Sequence, residues 1–295
     1  MHAEPSSSGH KLVAIVSKPA KPELATVVPE LLEWLRQHHY RVISDLETVQ
    51  FARDKDLTAV PRAEIGAQPL NFVIVLGGDG TLLSAARAVA KAGIPVLGVN
   101  LGSLGFLTEV SLEELFSTLD AVDQGSCGTE ERSMVHCDVF RRDACVAQFD
   151  ALNDVVVGKS TISRLNHCDV YVDSMFVSAY KADSVIVSTP TGSTAYALAA
   201  GGPIVMPSVS ALLITAVSAH SLTHRPLVVR DTSEIELVVN TGSEEAYLSI
   251  DGQIGMPVFD GDRIRCGKSQ HKVRLLRLRK TFFDVLRAKL KWGQR

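Results

Sequence analysis

One short segment constrains the fold more than any other. The apolar run Phe72-Val73-Ile74-Val75-Leu76 leads into Gly77-Gly78-Asp79-Gly80-Thr81, and Leu82-Leu83-Ser84-Ala85-Ala86-Arg87-Ala88-Val89-Ala90 follows. The first run reads as a buried strand and the last as a helix. A glycine-rich turn from strand into helix lets backbone N–H groups approach a phosphate, and the helix N-terminus favours its charge. An aspartate inside such an anion site is costly unless it works there, by holding a metal ion or by taking a proton.

The rest of the first half fits the same architecture. Lys11 to Ser17 and Tyr40 to Ser44 read as strands. Leu24, Val27, Val28, Leu31, Leu32 and Leu35 recur at helical spacing, so residues 22–38 are expected to be mostly helix, with a kink or boundary at Pro29. Ile94 to Val99 is another buried strand. Ser111 followed by Glu114 has the pattern of a capping box. Alternating strands and helices predict a parallel sheet covered by helices.

The pattern changes near Asp123-Gln124-Gly125-Ser126. From about Val135 to Leu278, short apolar runs alternate with turn residues, as in Val155-Val156-Val157, Val170-Tyr171-Val172, Val185-Ile186-Val187, Ile235-Glu236-Leu237 and Val273-Arg274-Leu275. Strands are expected to predominate there, with one helix starting after Pro190. The sequence thus predicts an α/β N-terminal domain over 11–126 with a parallel Rossmann-like sheet. A β-rich domain of β-sandwich type follows over 127–279. A closing helix over 280–292 is expected to pack back on the first domain, and residues 1–10 to form a disordered tail.

Composition narrows the function. The 295 residues are 46% hydrophobic, enough for a full core, and carry a formal net charge of −3. That balance argues against a nucleic-acid surface, which shows a basic excess. No apolar run approaches the roughly 18 residues of a membrane span, and no signal peptide is evident. The five cysteines, Cys127, Cys137, Cys145, Cys168 and Cys266, have no paired spacing and fit a reduced, cytoplasmic protein.

Several motifs fail. A dinucleotide fingerprint needs glycine where Leu83 stands. The P-loop pattern needs glycine at Asn153 ahead of Gly158-Lys159-Ser160, or at Asp262 ahead of Gly267-Lys268-Ser269. No nucleophile elbow surrounds Ser193, and the nine histidines lack zinc-ligand spacing. Beside the first motif, three segments stand out: Gly102-Ser103-Leu104-Gly105-Phe106-Leu107, Asn153-Asp154, and Ser188 through Gly202, where hydroxyls and small residues crowd a strand-to-helix junction. Parallel-sheet ligands bind beyond the carboxyl ends of strands, which places the first of these beside the glycine turn.

Gly77 to Thr81, then Asn153-Asp154, then Thr189-Pro190-Thr191-Gly192-Ser193-Thr194-Ala195-Tyr196 resemble the NAD kinase family in type, order and approximate spacing. The first motif is shared with diacylglycerol-type lipid kinases; the other two make the resemblance specific. It implies ATP-dependent phosphorylation of the 2′-hydroxyl of the adenosine ribose of NAD. By the resemblance, Asp79 is the general base, and Gly77, Gly78, Gly80 and Thr81 form the phosphate loop, with Gly80 also beside NAD. Asn153 and Asp154 hold ribose hydroxyls or the adenine, and Asp183 meets the nicotinamide end. Thr194, Ala195, Tyr196, Ala197, Leu198 and Ala199 line the adenine side. Gln253, Arg164 and Lys181 supply further contacts. Mg²⁺ arrives on ATP, with no metal cage made by the protein alone. The substrates are NAD and ATP, and the assembly is a homodimer or homotetramer, without nucleic acid or membrane. Leu101, where many relatives carry a basic or small residue, and Ser184, where glycine is usual, depart from the pattern. Two other readings stay open: a lipid kinase built on the same glycine motif, and a nucleotide-binding sensor that performs no chemistry.

Overall fold

The computed structural model describes residues 11–52, 57–159, 166–221, 223–242, 245–277 and 281–292. Arg164 and the expected tail at residues 1–10 lie outside these. The chain forms two compact units, one reaching Glu130 and resuming at Arg274, the other spanning Glu131–Val273.

The first unit contains β1 (Lys11–Ser17), α1 (Leu24–Gln37), β2 (Tyr40–Asp45), β3 (Thr58–Val60), β4 (Phe72–Gly77), α2 (Asp79–Ala90), β5 (Val96–Asn100), β6 (Val110–Ser111) and α3 (Leu115–Asp123). Its strands run in the order β3-β2-β1-β4-β5, and each neighbouring pair is parallel. β4 is buried along its whole length, which is why it reads as an unbroken apolar run. α1 carries Pro29 without a break. Leu24, Val28, Leu31, Leu32 and Leu35 are buried along one stripe, and that packing outweighs the one backbone hydrogen bond that proline removes. At α3 the Glu114 carboxylate accepts from the Ser111 N–H at 2.9 Å, one half of the expected capping box.

The second unit contains most of β7 (Gly128–Arg141), β8 (Ala144–Ala151), β9 (Asp154–Lys159), β10 (Asn166–Val172), β11 (Met175–Ala182), β12 (Ser184–Ser188), α4 (Tyr196–Ala199), β13 (Ala211–Val217), β14 (Leu227–Arg230), β15 (Ile235–Asn240), β16 (Ala246–Ile250), β17 (Ile254–Val258) and most of β18 (Arg263–Arg277). One sheet runs β14-β13-β12-β9-β16-β17, antiparallel throughout. The other places β10, β15, β18 and β7 side by side, with β11 and β8 outside them. Alternate residues of both sheets meet in one apolar core, including Val155, Val157, Val185 and Leu248 from the first and Val135, Val170, Leu237 and Ile264 from the second. The observed architecture is the expected one: a parallel-sheet α/β part followed by an antiparallel β-rich part. The helix expected after Pro190 is a single turn, Tyr196–Ala199, stopped by Gly201, at φ +82°, and Gly202-Pro203.

β18 ends in the first unit, where Leu275 pairs with Val96, and α5 (Phe282–Leu290) follows. Thr281 and Asp284 cap α5 reciprocally, and Val285 and Leu286 are buried beneath it. No helix among the described residues is long and apolar enough to cross a membrane.

Candidate active site

In the first unit the glycine turn lies at the carboxyl end of β4, and Asp79 opens α2. Thr81 packs on Gly77 so closely that a Cβ there would meet its Oγ1 at 2.5 Å. That contact requires glycine and sets the turn's path. Gly78 is the N-cap of α2, and no side chain caps that helix end.

Both oxygens of the Asp79 carboxylate are hydrogen-bonded. Oδ1 accepts from the backbone N–H groups of Leu107 and Thr108 at 3.1 and 3.0 Å and from the Thr108 hydroxyl at 2.9 Å. Oδ2 accepts from the Phe106 N–H at 2.8 Å. Asn100, at the end of β5, donates to the Thr108 hydroxyl at 2.8 Å and accepts from the Gly102 N–H. The loop after β5 therefore wraps the acid. Gly105 makes this possible, because a Cβ there would lie 2.0 Å from Asp79 Oδ1. Gly105→Ala is expected to displace the carboxylate and lower stability by about 1–3 kcal/mol, the usual range for overpacking. Turnover should fall with it, measured as kcat on protein whose circular dichroism confirms folding.

A cavity of about 280 Å³ opens beside this turn, lined by Gly77, Gly78 and Asp79 together with Lys18, Lys21 and Lys289. The three lysines carry no motif and were not among the expected site residues. They stand on two segments about 270 residues apart, so no spacing rule could find them.

In the second unit a cavity of about 300 Å³ brings together four expected residues, Asn153, Asp154, Ala195 and Tyr196, with Ser249, Asp251 and Gly252 also on its wall. Asp251 was not among the expected residues. Its carboxylate accepts from three successive N–H groups, Leu152, Asn153 and Asp154, at 3.1, 2.7 and 3.1 Å. The Asp154 N-terminal approach to β9 is thus held by a nest of donors around one anion. The available signal was Asp251-Gly252 itself: both have positive φ, and Gln253 N–H bonds back to the Ile250 carbonyl, a tight β16–β17 hairpin turn.

Asp154 is buried, at 4% exposure. Burial and then the neighbouring Asp251 charge push its carboxyl up to about 7. Asp183 is held low by the Lys159 ammonium, which donates to it at 2.7 Å. Lys181 is exposed on β11, and neither it nor Asp183 lines the 300 Å³ cavity.

The hydroxyls after β12 are mostly spent internally. Thr189 Oγ1 donates to the Leu152 carbonyl at 2.6 Å and accepts from the Gly192 N–H at 3.1 Å. Ser193 Oγ donates to the Pro190 carbonyl and accepts from the Val205 N–H. Thr194 Oγ1 donates to the Thr191 carbonyl. These bonds fix the shape of the segment after β12. Gly192 lets the Asn153 carbonyl approach, since a Cβ there would lie 2.1 Å from it. Ala197 is buried, Leu198 half-buried and Ala199 exposed, so the one-turn helix presents Ala195 and Tyr196 to the cavity and not its whole length.

Comparison with known proteins agrees with both halves. Residues 13–127 match the ATP-NAD kinase N-terminal domain and residues 152–278 the ATP-NAD kinase C-terminal domain. The chain is 56% identical over 285 residues to the NAD kinase of Koribacter versatilis, an alignment covering 97% of this chain and 99% of that one. It is 49% identical over 284 residues to the NAD kinase of Acidobacterium capsulatum, covering 96% and 99%. Among solved structures, yeast NADH kinase complexed with NADH matches at TM-score 0.85 and 27% identity, over 97% of this chain and 89% of that one. An NAD kinase from Archaeoglobus fulgidus in complex with ATP matches at TM-score 0.75 and 26% identity, over 94% and 99%. Matches of this extent in both units, with relatives at this identity, show that the chain belongs to the ATP-NAD kinase family.

Proposed function

We propose that the protein transfers the γ-phosphoryl group of ATP to the 2′-hydroxyl of the adenosine ribose of NAD, giving NADP and ADP, with Asp79 as the general base. The ribose oxygen forms a bond to the γ-phosphorus as the bond from that phosphorus to the ADP oxygen breaks. The hydroxyl proton passes to Asp79. A ribose hydroxyl is a poor nucleophile at neutral pH, and a positioned carboxylate that takes its proton contributes on the order of 10²–10⁴-fold.

The observation that carries this reading is the placement of Asp79, an acid at the first turn of α2 behind a strand–glycine turn, fixed by donors on both its oxygens. A carboxylate has about four acceptor sites. Three loop donors converge on Oδ1 and one reaches Oδ2, so Oδ2 keeps a lone pair through which a substrate proton can be accepted. On Oδ1 the Thr108 hydroxyl is the donor that can rotate without moving backbone, and its oxygen accepts from the Asn100 amide.

Asn153 and Asp154 are proposed to hold ribose hydroxyls or the adenine, with Ala195 and Tyr196 forming the cavity's adenine side. Roles for Gly80, Thr81, Lys181, Asp183, Thr194, Ala197, Leu198, Ala199 and Gln253 as further contacts rest on the motif match. A divalent cation would neutralise the β- and γ-phosphate oxygens when bound with ATP. The chemistry of the donor set fits a cation carried by the nucleotide: the cavity beside the glycine turn offers lysines, which bind phosphate oxygen, and its one carboxylate is already bonded to a loop. Such an ion keeps most of its waters.

The test is direct. Purified protein is mixed with NAD, ATP and Mg²⁺, and NADP is followed with an NADP-specific dehydrogenase. NADP formation is the expected result. Folded protein that binds NAD and forms none would overturn the reading in favour of a sensor.

A further inference from the structure

We propose that Lys18, Lys21 and Lys289 form the polyphosphate subsite for the phosphoryl donor, and that Lys289 makes the C-terminal helix part of that site. The proposal rests on the kinase reading above and assigns the residues that hold its donor.

Three observations converge on this cavity. The first is topological. The strand order β3-β2-β1-β4-β5 reverses direction between β1 and β4. Ligands of open parallel sheets bind outside the carboxyl ends of the strands at such a switch point. Lys18 directly follows β1, and its N–H donates to the Leu76 carbonyl of β4 at 2.9 Å. It therefore stands at the crevice, next to Gly77 and Gly78.

The second is charge. The about 280 Å³ cavity is lined by three lysines and one acid. That acid, Asp79, turns both oxygens onto residues 106–108. Three ammonium groups against one carboxylate leave the lining net positive, and the positive end of α2, which no side chain caps, adds to it. Like charges converging on one concavity repel one another, and a polyanion removes that repulsion. A nucleoside triphosphate has the required charge density along its phosphates, and lysine binds phosphate as a point charge.

The third is that Lys289 is deliberately placed. α5 is stopped at its start by the reciprocal Thr281–Asp284 cap and seated by buried Val285 and Leu286. Lys289 lies one turn beyond, with its ammonium 5.9 Å from the centroid of the Phe106 ring. Phe106 is also the residue whose N–H holds Asp79 Oδ2. A donor phosphate on Lys289 would thus lie against the loop that positions the proposed base.

The test uses the full chain and a probe that needs no chemistry. Binding of inorganic tripolyphosphate is measured by calorimetry at fixed ionic strength, because exposed lysines are screened by salt. The proteins are wild type, Lys289→Ala, Lys289→Arg and Lys291→Ala, the last a cation on the same helix end that does not line the cavity. Loss of one charge-assisted phosphate contact should weaken binding about tenfold in Lys289→Ala. Lys289→Arg should restore it, and Lys291→Ala should match wild type. In steady-state assays KM for ATP should rise by a similar factor in Lys289→Ala while KM for NAD stays constant. Unchanged tripolyphosphate affinity in Lys289→Ala, equal weakening in Lys291→Ala, or a rise in KM for NAD alone would each overturn the subsite. The two readings fail separately: wild-type protein that forms no NADP but binds tripolyphosphate through Lys289 sinks the kinase reading and keeps the subsite.

Discussion

Asp79→Asn is expected to lower kcat by about 10²–10⁴-fold, the range that a general base contributes, with NAD affinity nearly unchanged. The structure adds a second consequence. Asparagine offers one acceptor oxygen and an NH₂ donor. With its oxygen toward Leu107 and Thr108, its NH₂ must face the Phe106 N–H, donor against donor. The loop should therefore loosen, at a cost of about 1–3 kcal/mol for the unsatisfied group. A loss of turnover could then come from the missing base or from the loosened loop, and Thr108→Val separates them. Valine removes one donor to the carboxylate and leaves the acid in place. Its kcat should fall by less than tenfold on this account. If Thr108→Val instead loses as much turnover as Asp79→Asn, the loop, and not proton transfer, is what the acid serves.

Asp154→Asn should change how stability depends on pH. In the folded chain the Asp154 carboxyl is pushed up to about 7, first by burial and then by Asp251. In the unfolded chain it has its ordinary value near 3.9. Between these values the folded state holds a proton that the unfolded state has released, so stability falls as pH rises. The contribution is fully present below the unfolded value, and it is gone above the folded one. Between pH 5 and pH 8 this amounts to about 3 kcal/mol as an order of magnitude. Asparagine cannot ionise, so the variant should lack that slope and gain on wild type as the pH is raised. Urea midpoints of both proteins across this range check it. Parallel profiles would mean that Asp154 is ionised in the folded chain at neutral pH and that water or a rearranged Asp251 relieves its burial.

Much of the fold was legible because it is written in local periodicity. β4 is an unbroken apolar run, as a strand buried on both faces must be, β5 and β9 each contain shorter buried apolar stretches, and α1 shows its stripe despite Pro29. The helix after Pro190 is a single turn, which the backbone freedom of Gly201-Gly202 ends.

The site divides along the same line. By itself the sequence determined the strand–glycine turn–helix carrying Asp79, the Asn153-Asp154 pair ahead of β9, and the change from parallel α/β to antiparallel β structure. Each depends on neighbours in the chain, where residue type and spacing state the geometry. Only the tertiary structure decided that loop 106–108 occupies both oxygens of Asp79, across 27 to 29 positions, and that Asp251 holds the Asn153-Asp154 backbone across 97 to 99. It also decided that Lys289 joins Lys18 and Lys21 around one cavity. Contacts between distant segments follow from strand order and helix docking. A lysine on a solvent-facing helix carries no period that says which cavity it will reach once the chain has folded.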